Sequence, residues 1–176
     1  IVIALAAFWA GASCMAEAPA EVKRPEFWRL PIRSLNTTEW EALCDGCGKC
    51  CLNKLEYEDT GEVEFTRVAC RLLDGDTCRC ANYEIRHQFV PECVRLSPKN
   101  IAKIAYWMPA TCAYRLRFDN KPLPDWHYLI SGDPESVHAA GVSVRGQTVS
   151  ELALKDPEDA LDFEAPEWTV ERGRER

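Results

Sequence analysis

No nucleophile elbow, phosphate-binding loop, dinucleotide fingerprint or HExxH pattern occurs in the 176 residues, so no familiar catalytic motif assigns an enzyme class. The chain has no internal repeat and no low-complexity tract, so it is not an array of copies. Positive charge is not in excess. The net charge of −7 and a pI near 5.1 argue against a general nucleic-acid or anionic-membrane binder. Long apolar runs are also missing: Ile1 to Ala12 is roughly a dozen residues, and a membrane helix needs about 20. That stretch lacks the positively charged region of a signal peptide. We read Met15 as the start, with residues 1–14 an upstream artefact. The competing reading is a truncated signal ending in Gly11-Ala12-Ser13-Cys14, which lacks the bulky aliphatic of a lipoprotein cleavage site.

The length fits one domain, and 47% hydrophobic residues with six tryptophans fit a globular chain. What stands out is cysteine. Nine of the ten fall between Cys44 and Cys112, and four lie in the run Cys44-Asp45-Gly46-Cys47-Gly48-Lys49-Cys50-Cys51. Counted from Met15 the number is nine, and an odd number cannot all pair in disulfides within one chain. A reduced, cytoplasmic metal-binding protein follows more naturally than a secreted disulfide scaffold.

Charge is unevenly spread. Residues 45–64 hold six acids and two bases, residues 67–117 nine bases and four acids, and residues 119–176 thirteen acids and six bases. The basic segment coincides with Cys70 to Cys112. A four-thiolate zinc or iron–sulfur site carries negative charge that nearby arginines would offset. The alternative is an ordinary solvated basic face.

Local patterns predict a short helix over Thr38 to Leu43 with Thr38 and Glu41 as a capping box. They predict a strand over Glu62 to Val68, a turn at Asp74-Gly75-Asp76 and a helix from Ser97-Pro98 to before Pro109. A helical turn is expected over Thr111 to Phe118, a short helix from Asp133-Pro134 to Ala140, and a strand over Val142 to Val149. Residues 1–26 read as artefact and flexible leader, 27–155 as the cysteine-cluster domain, and 156–176 as an acidic tail without fixed structure.

Cysteines two residues apart around glycine can aim both sulfurs at one tetrahedral ion, and Cys44/Cys47 and Cys47/Cys50 have that spacing. Cys70, Cys78, Cys80, Cys93 and Cys112 are available to complete a shell. Cys50 and Cys51 are adjacent, so their side chains are expected to diverge and serve different sites. Nine sulfurs suffice for two four-cysteine sites with one left over, or for one site with spectators. The Cys-x2-Cys-x2-Cys triplet is also the ferredoxin pattern, though without the following Cys-Pro, so an iron–sulfur cluster stands beside zinc. The metal could equally be a structural staple. His87, His127 and His138 read as surface or hydrogen-bonded histidines. Trp126, His127, His138 and Arg145 mark where a substrate would sit if the protein were an enzyme.

The pattern Cys44-x2-Cys47-x2-Cys50-Cys51, Cys70-Arg71-Leu72-Leu73, Cys80-Ala81-Asn82-Tyr83-Glu84-x-Arg86 and Cys93 resembles the bacterial CxxCxxCC family of zinc- or iron-chelating proteins. Phe27-Trp28, Thr111-Cys112-Ala113-Tyr114-Arg115-Leu116, Leu123-Pro124-x-Trp126-His127 and Ser143-Val144-Arg145 are similar to its YcgN branch. The resemblance spans roughly residues 26–155. It implies Cys44, Cys47, Cys50, Cys51, Cys70, Cys80 and Cys93 as metal ligands, with Cys78 and Cys112 additions of the branch. His87 departs from the family's proline after Arg86. The expectation is a small, irregular, loop-rich α+β domain stapled by a cysteine-bound metal. It would be cytoplasmic and bind zinc or iron, the latter including an iron–sulfur cluster, without nucleic-acid or membrane partners. The alternatives are an iron–sulfur enzyme or electron-transfer protein, and an exported disulfide-rich lipoprotein using Cys14.

Overall fold

A computed structural model describes residues 22–168. The proposed start at Met15, Cys14, residues 1–21 and residues 169–176 lie outside the described residues. The architecture is α+β: helices α1 (Thr37–Glu41), α2 (Arg86–Phe89), α3 (Ile101–Ile104), α4 (Ala113–Phe118), α5 (Tyr128–Ser131) and α6 (Ser136–Ala139), with strands β1 (Leu52–Glu56), β2 (Val63–Ala69) and β3 (Val149–Ser150). The sheet runs β1-β2-β3, the first pair antiparallel and the second parallel. Among the described residues no helix is long and apolar enough to cross a membrane.

Helix α1 begins earlier than its sequence pattern suggests. Asn36, not Thr38, is the cap: its side chain accepts from the Glu39 N–H at 2.8 Å, and Glu39 accepts from the Asn36 N–H at 3.1 Å. Asn is as good a cap as Ser or Thr, and its box places the acid at Glu39. Glu39 is fully buried and also receives Arg24 through Nε at 2.8 Å and Nη2 at 2.5 Å. Residues 22–26, read from sequence as part of a flexible leader, are therefore tied to α1.

The Arg24 guanidinium holds the Glu39 carboxyl down at about 2, below its ordinary 4.5. A carboxylate with a depressed folded value adds stability above its unfolded value and loses it as pH falls through the folded one. The unfolding midpoint in urea should therefore drop between about pH 4.5 and 2, and Glu39→Gln should flatten that part of the profile. An unchanged acid limb in the variant would refute this.

Two cores flank the site. One gathers Phe27, Ile32, Leu35, Trp40, Leu43, Ile101, Met108, Ala113, Tyr114 and Leu123 from the helices and the N-terminal segment. The other gathers Leu52, Phe65, Ala69, Cys78, Val144, Ala165 and Trp168 around the sheet. Val63, Phe65 and Ala69 are buried on β2, as a half-buried strand requires, although Thr66 and Val68 are buried as well.

Three expectations are corrected. The helix expected from Ser97 begins at Ile101, because Asn100 turns back to accept from the Ser97 N–H and hydroxyl at 2.8 and 3.0 Å. The strand expected over Val142 to Val149 shrinks to Val149–Ser150. Before it the backbone turns, with Gln147 N–H bonding to the Val144 carbonyl and Gly146 N–H to that of Gly75. Residues 157–168, read as tail, form 3-10 turns at Pro157–Phe163 and Pro166–Trp168, and Ala165 and Trp168 are buried against the sheet. Their packing offsets the acidic character that suggested disorder.

Candidate metal centre

The cysteine loop leaves α1 through Leu43, which is fully buried and fixes where the chain exits. Gly46 and Gly48 both take φ near 79°, a left-handed conformation that costs other residues about 1–2 kcal/mol. A Cβ at Gly48 would also stand 2.7 Å from Val144 Cγ2, so only glycine fits. Lys49–Cys51 then makes a 3-10 turn into β1. The Val144 N–H donates to the Cys47 carbonyl at 2.9 Å, which pins the loop to the segment after α6.

The later cysteines are brought in by the sheet. The pairing of Leu52 with Ala69 sets Cys70 beside Cys51, and the Cys70 N–H donates to the Cys51 carbonyl at 2.8 Å. A bridge between Leu73 and Cys80 folds the next loop back. Cys93 follows α2, its N–H bonded to the Val90 carbonyl at 3.0 Å, and Cys112 stands at the N-terminus of α4. All nine described cysteines are free thiols.

Six of them, Cys44, Cys50, Cys51, Cys70, Cys80 and Cys93, line one cavity of about 590 Å³ between the two cores. Its walls include Trp40, Tyr83, Trp107 and Tyr114, with Lys54, Arg79 and Arg86. Cys47 and Cys112 are not on that wall, and Cys78 is buried in the sheet core.

Burial pushes the Cys44 thiol up to about 12, with the charges of Cys50 and Asp45 adding to it. Cys47 and Cys112 are raised for the same first reason. A thiol in such a place is a poor ligand until a cation stabilises its thiolate. Cys50 and Cys51 behave as a pair: the Cys51 thiol's hydrogen bond lowers Cys50, while Cys51 itself is raised. Their sulfurs are 3.9 Å apart, so the side chains do not diverge as expected from adjacency.

Cations surround the loop. Burial lowers Lys54 to about 8; its ammonium donates to the Leu52 carbonyl at 2.7 Å and lies 4.9 Å from the Trp107 ring centre. The Arg79 guanidinium crosses directly over Gly46, 3.0 Å from where a Cβ would be. At least part of the basic segment thus faces the thiols.

The residues present fit a cation in their chemistry. Asp45 is 7% exposed; its Oδ1 accepts from the Cys47 N–H at 2.9 Å, while Oδ2 is buried without a hydrogen-bond partner beside Cys44, Cys47 and Cys112. A buried carboxylate oxygen left unpaired is costly, and a positive ion among the thiols relieves it. The side chains themselves do not form a closed shell: among the described residues, no group of three or more His, Cys, Asp or Glu stands in metal-holding geometry.

The region around Trp126, His127, His138 and Arg145 is occupied by structural contacts. His127 is fully buried. Its Nδ1 accepts from the Leu129 N–H at 3.1 Å, so Nε2 carries the proton and donates to the Leu43 carbonyl at 3.1 Å. His138 Nδ1 pairs with the Ser143 hydroxyl at 2.7 Å, and Arg145 with Glu135 at 2.6 Å. His87 is exposed on α2. The large cavity lies instead against the cysteines, lined by Lys54, Arg79, Tyr83 and Tyr114. Three separate segments supply them, with Arg79 and Tyr83 on one loop, so only the fold brings them together.

Fold and site define a small α+β protein built around a cluster of reduced cysteines. A family model, CxxCxxCC, described as "Putative zinc- or iron-chelating domain", matches residues 43–113, the span that holds all nine of these cysteines. A UPF0260 protein of Rhodobacter capsulatus is 74% identical over 140 residues, covering 80% of this chain and 93% of that one. UPF0260 proteins of Rhizorhabdus wittichii and Caulobacter vibrioides are 60% and 52% identical, covering 77% and 85% of this chain and 92% and 93% of theirs. The chain belongs to the UPF0260 family. No solved structure matches it.

Proposed function

We propose that this protein chelates zinc or iron through the thiolates of Cys44, Cys47, Cys50, Cys51, Cys70, Cys80 and Cys93. It would do so as a YcgN-type cytoplasmic protein. The observation that carries the reading is the cavity on which six of those seven thiols converge. Zinc or iron bound there supplies a positive centre that keeps thiolates charged inside the protein. The protein's own residues do the rest. The glycines of the loop let the first thiols turn toward one centre, Arg79 and Lys54 offset the thiolate charge, and the two cores exclude bulk water from one side.

An iron–sulfur cluster with a redox or catalytic role is the second reading. The volume of the cavity favours it, since about 590 Å³ is far more than one ion needs. Sulfur ligands alone suit both metals.

Anaerobic purification with elemental analysis, visible absorption and a thiol count tests these readings. A colourless protein holding zinc with its thiols masked supports the first and sinks the iron–sulfur reading. Visible charge-transfer bands with iron and acid-labile sulfide select the cluster. Thiols largely oxidised and no metal would overturn both.

A further inference from the structure

We infer that the thiols form two adjoining four-cysteine metal sites, Cys44, Cys47, Cys50 and Cys112 in one and Cys51, Cys70, Cys80 and Cys93 in the other. They meet at the Cys50–Cys51 pair and leave Cys78 outside. This rests on the metal-binding reading above and says which sulfurs act together.

The first set is assembled on the helical core. Cys44, Cys47 and Cys50 follow one another on the loop after α1, and Cys112 precedes α4. Cys44 and Cys112 pack against the same core cluster, and the Tyr114 hydroxyl ties α4 to α1 by donating to the Trp40 carbonyl at 3.0 Å. The unpaired Oδ2 of Asp45 is buried within this set. That orphan carboxylate is independent of the cysteine spacing and points to a cation at the same place.

The second set is assembled on the sheet. Strand pairing places Cys51 next to Cys70, and the Leu73–Cys80 bridge returns the following loop toward them. Cys93 joins Cys51, Cys70 and Cys80 on the wall of one cavity. The two sets join where the Cys50 and Cys51 sulfurs lie 3.9 Å apart. As neighbours in the chain, Cys50 follows the first loop while Cys51 leads into β1, so each continues into a different set.

Cys78 belongs to neither. It sits in the sheet core against Gly48 and Val144, and its principal charged neighbours are Arg145, Asp74 and Arg79 rather than other thiols. Eight sulfurs in two sets of four suit borderline-soft divalent ions, for which zinc is the direct probe.

The test uses the full chain, stripped of metal under anaerobic reduction, reloaded with Zn²⁺ alone, desalted and assayed for zinc with a chromophoric chelator. Wild type and Cys78→Ser should each hold about two zinc ions, and Cys112→Ser and Cys93→Ser about one each. About one ion on the wild type would overturn the partition and leave metal binding intact. So would zinc lost from Cys78→Ser but retained in Cys112→Ser. No zinc on the wild type would overturn both readings. If the variants do not fold, ¹¹³Cd resonances of the cadmium-loaded wild type decide. Two thiolate-rich signals are expected, and a single one overturns the partition.

Discussion

Cys44→Ser or Cys47→Ser abolishes metal retention at the first loop and lowers stability in the largest step expected of any single change. Serine is nearly isosteric with cysteine, so packing is little disturbed and the loss reports on the ligand itself. Structural zinc in small domains binds with roughly 10–16 kcal/mol of apparent free energy, which is coupled to folding. A variant missing one of four sulfurs should forfeit a large part of that, several kcal/mol on the order of magnitude set by that coupling. Elemental analysis and thermal unfolding of the purified variants check it. Unchanged metal content in both would place the site elsewhere in the chain.

His127→Ala carries the second large effect, and here the cause is packing. The ring is fully buried, donates to the Leu43 carbonyl and accepts from the Leu129 N–H. Truncation leaves a cavity and two unpaired backbone groups, the Leu129 N–H in α5 and the Leu43 carbonyl one residue before the metal loop begins. The expected cost is about 3–5 kcal/mol in urea unfolding. Metal content should fall with it, because Leu43 sets the exit of α1 into Cys44. A loss under about 1 kcal/mol would show that water or a neighbour replaces the ring's contacts.

The same residue sets a pH dependence. Burial lowers the His127 value below its ordinary 6.5, so the folded state holds the ring neutral while the unfolded state takes up a proton as pH falls. The unfolded state then binds more protons, and stability decreases as pH drops below about 6.5. This component adds to the Glu39 effect but lies at higher pH, so the two can be separated on one profile.

The candidate loop stands out in the sequence alone. The spacing of Cys44, Cys47 and Cys50 around two glycines carries its own chemistry, since short-range backbone geometry dictates where those sulfurs can reach. Helix α4, the helix before Gly141 and strand β2 were legible for the same reason, with shifts of a few residues at their ends. The misread cap of α1 shows the limit. Two candidate boxes overlap between Asn36 and Glu41, and the choice fell to Arg24, which pairs with Glu39 from outside the helix. Alternation over Val142 to Val149 read as a strand, yet Val144 is buried because it closes over Gly48, not because it lies on a sheet face.

Cys112 marks the same division. The resemblance made it an addition of the branch, and only the packing of α4 on α1 brings it toward Cys44. Asp45 carries no signal in the sequence; only its burial shows that its second oxygen lacks a hydrogen-bond partner. The sequence by itself determined the closely spaced cysteine loop, its glycines and the mixed α+β character, because these depend on residues within a few positions of one another. Which cysteines line one cavity, which histidine is locked into the backbone and where the cavity opens were decided by tertiary structure. Those outcomes depend on two cores closing from opposite ends of the chain around the same eight-residue run.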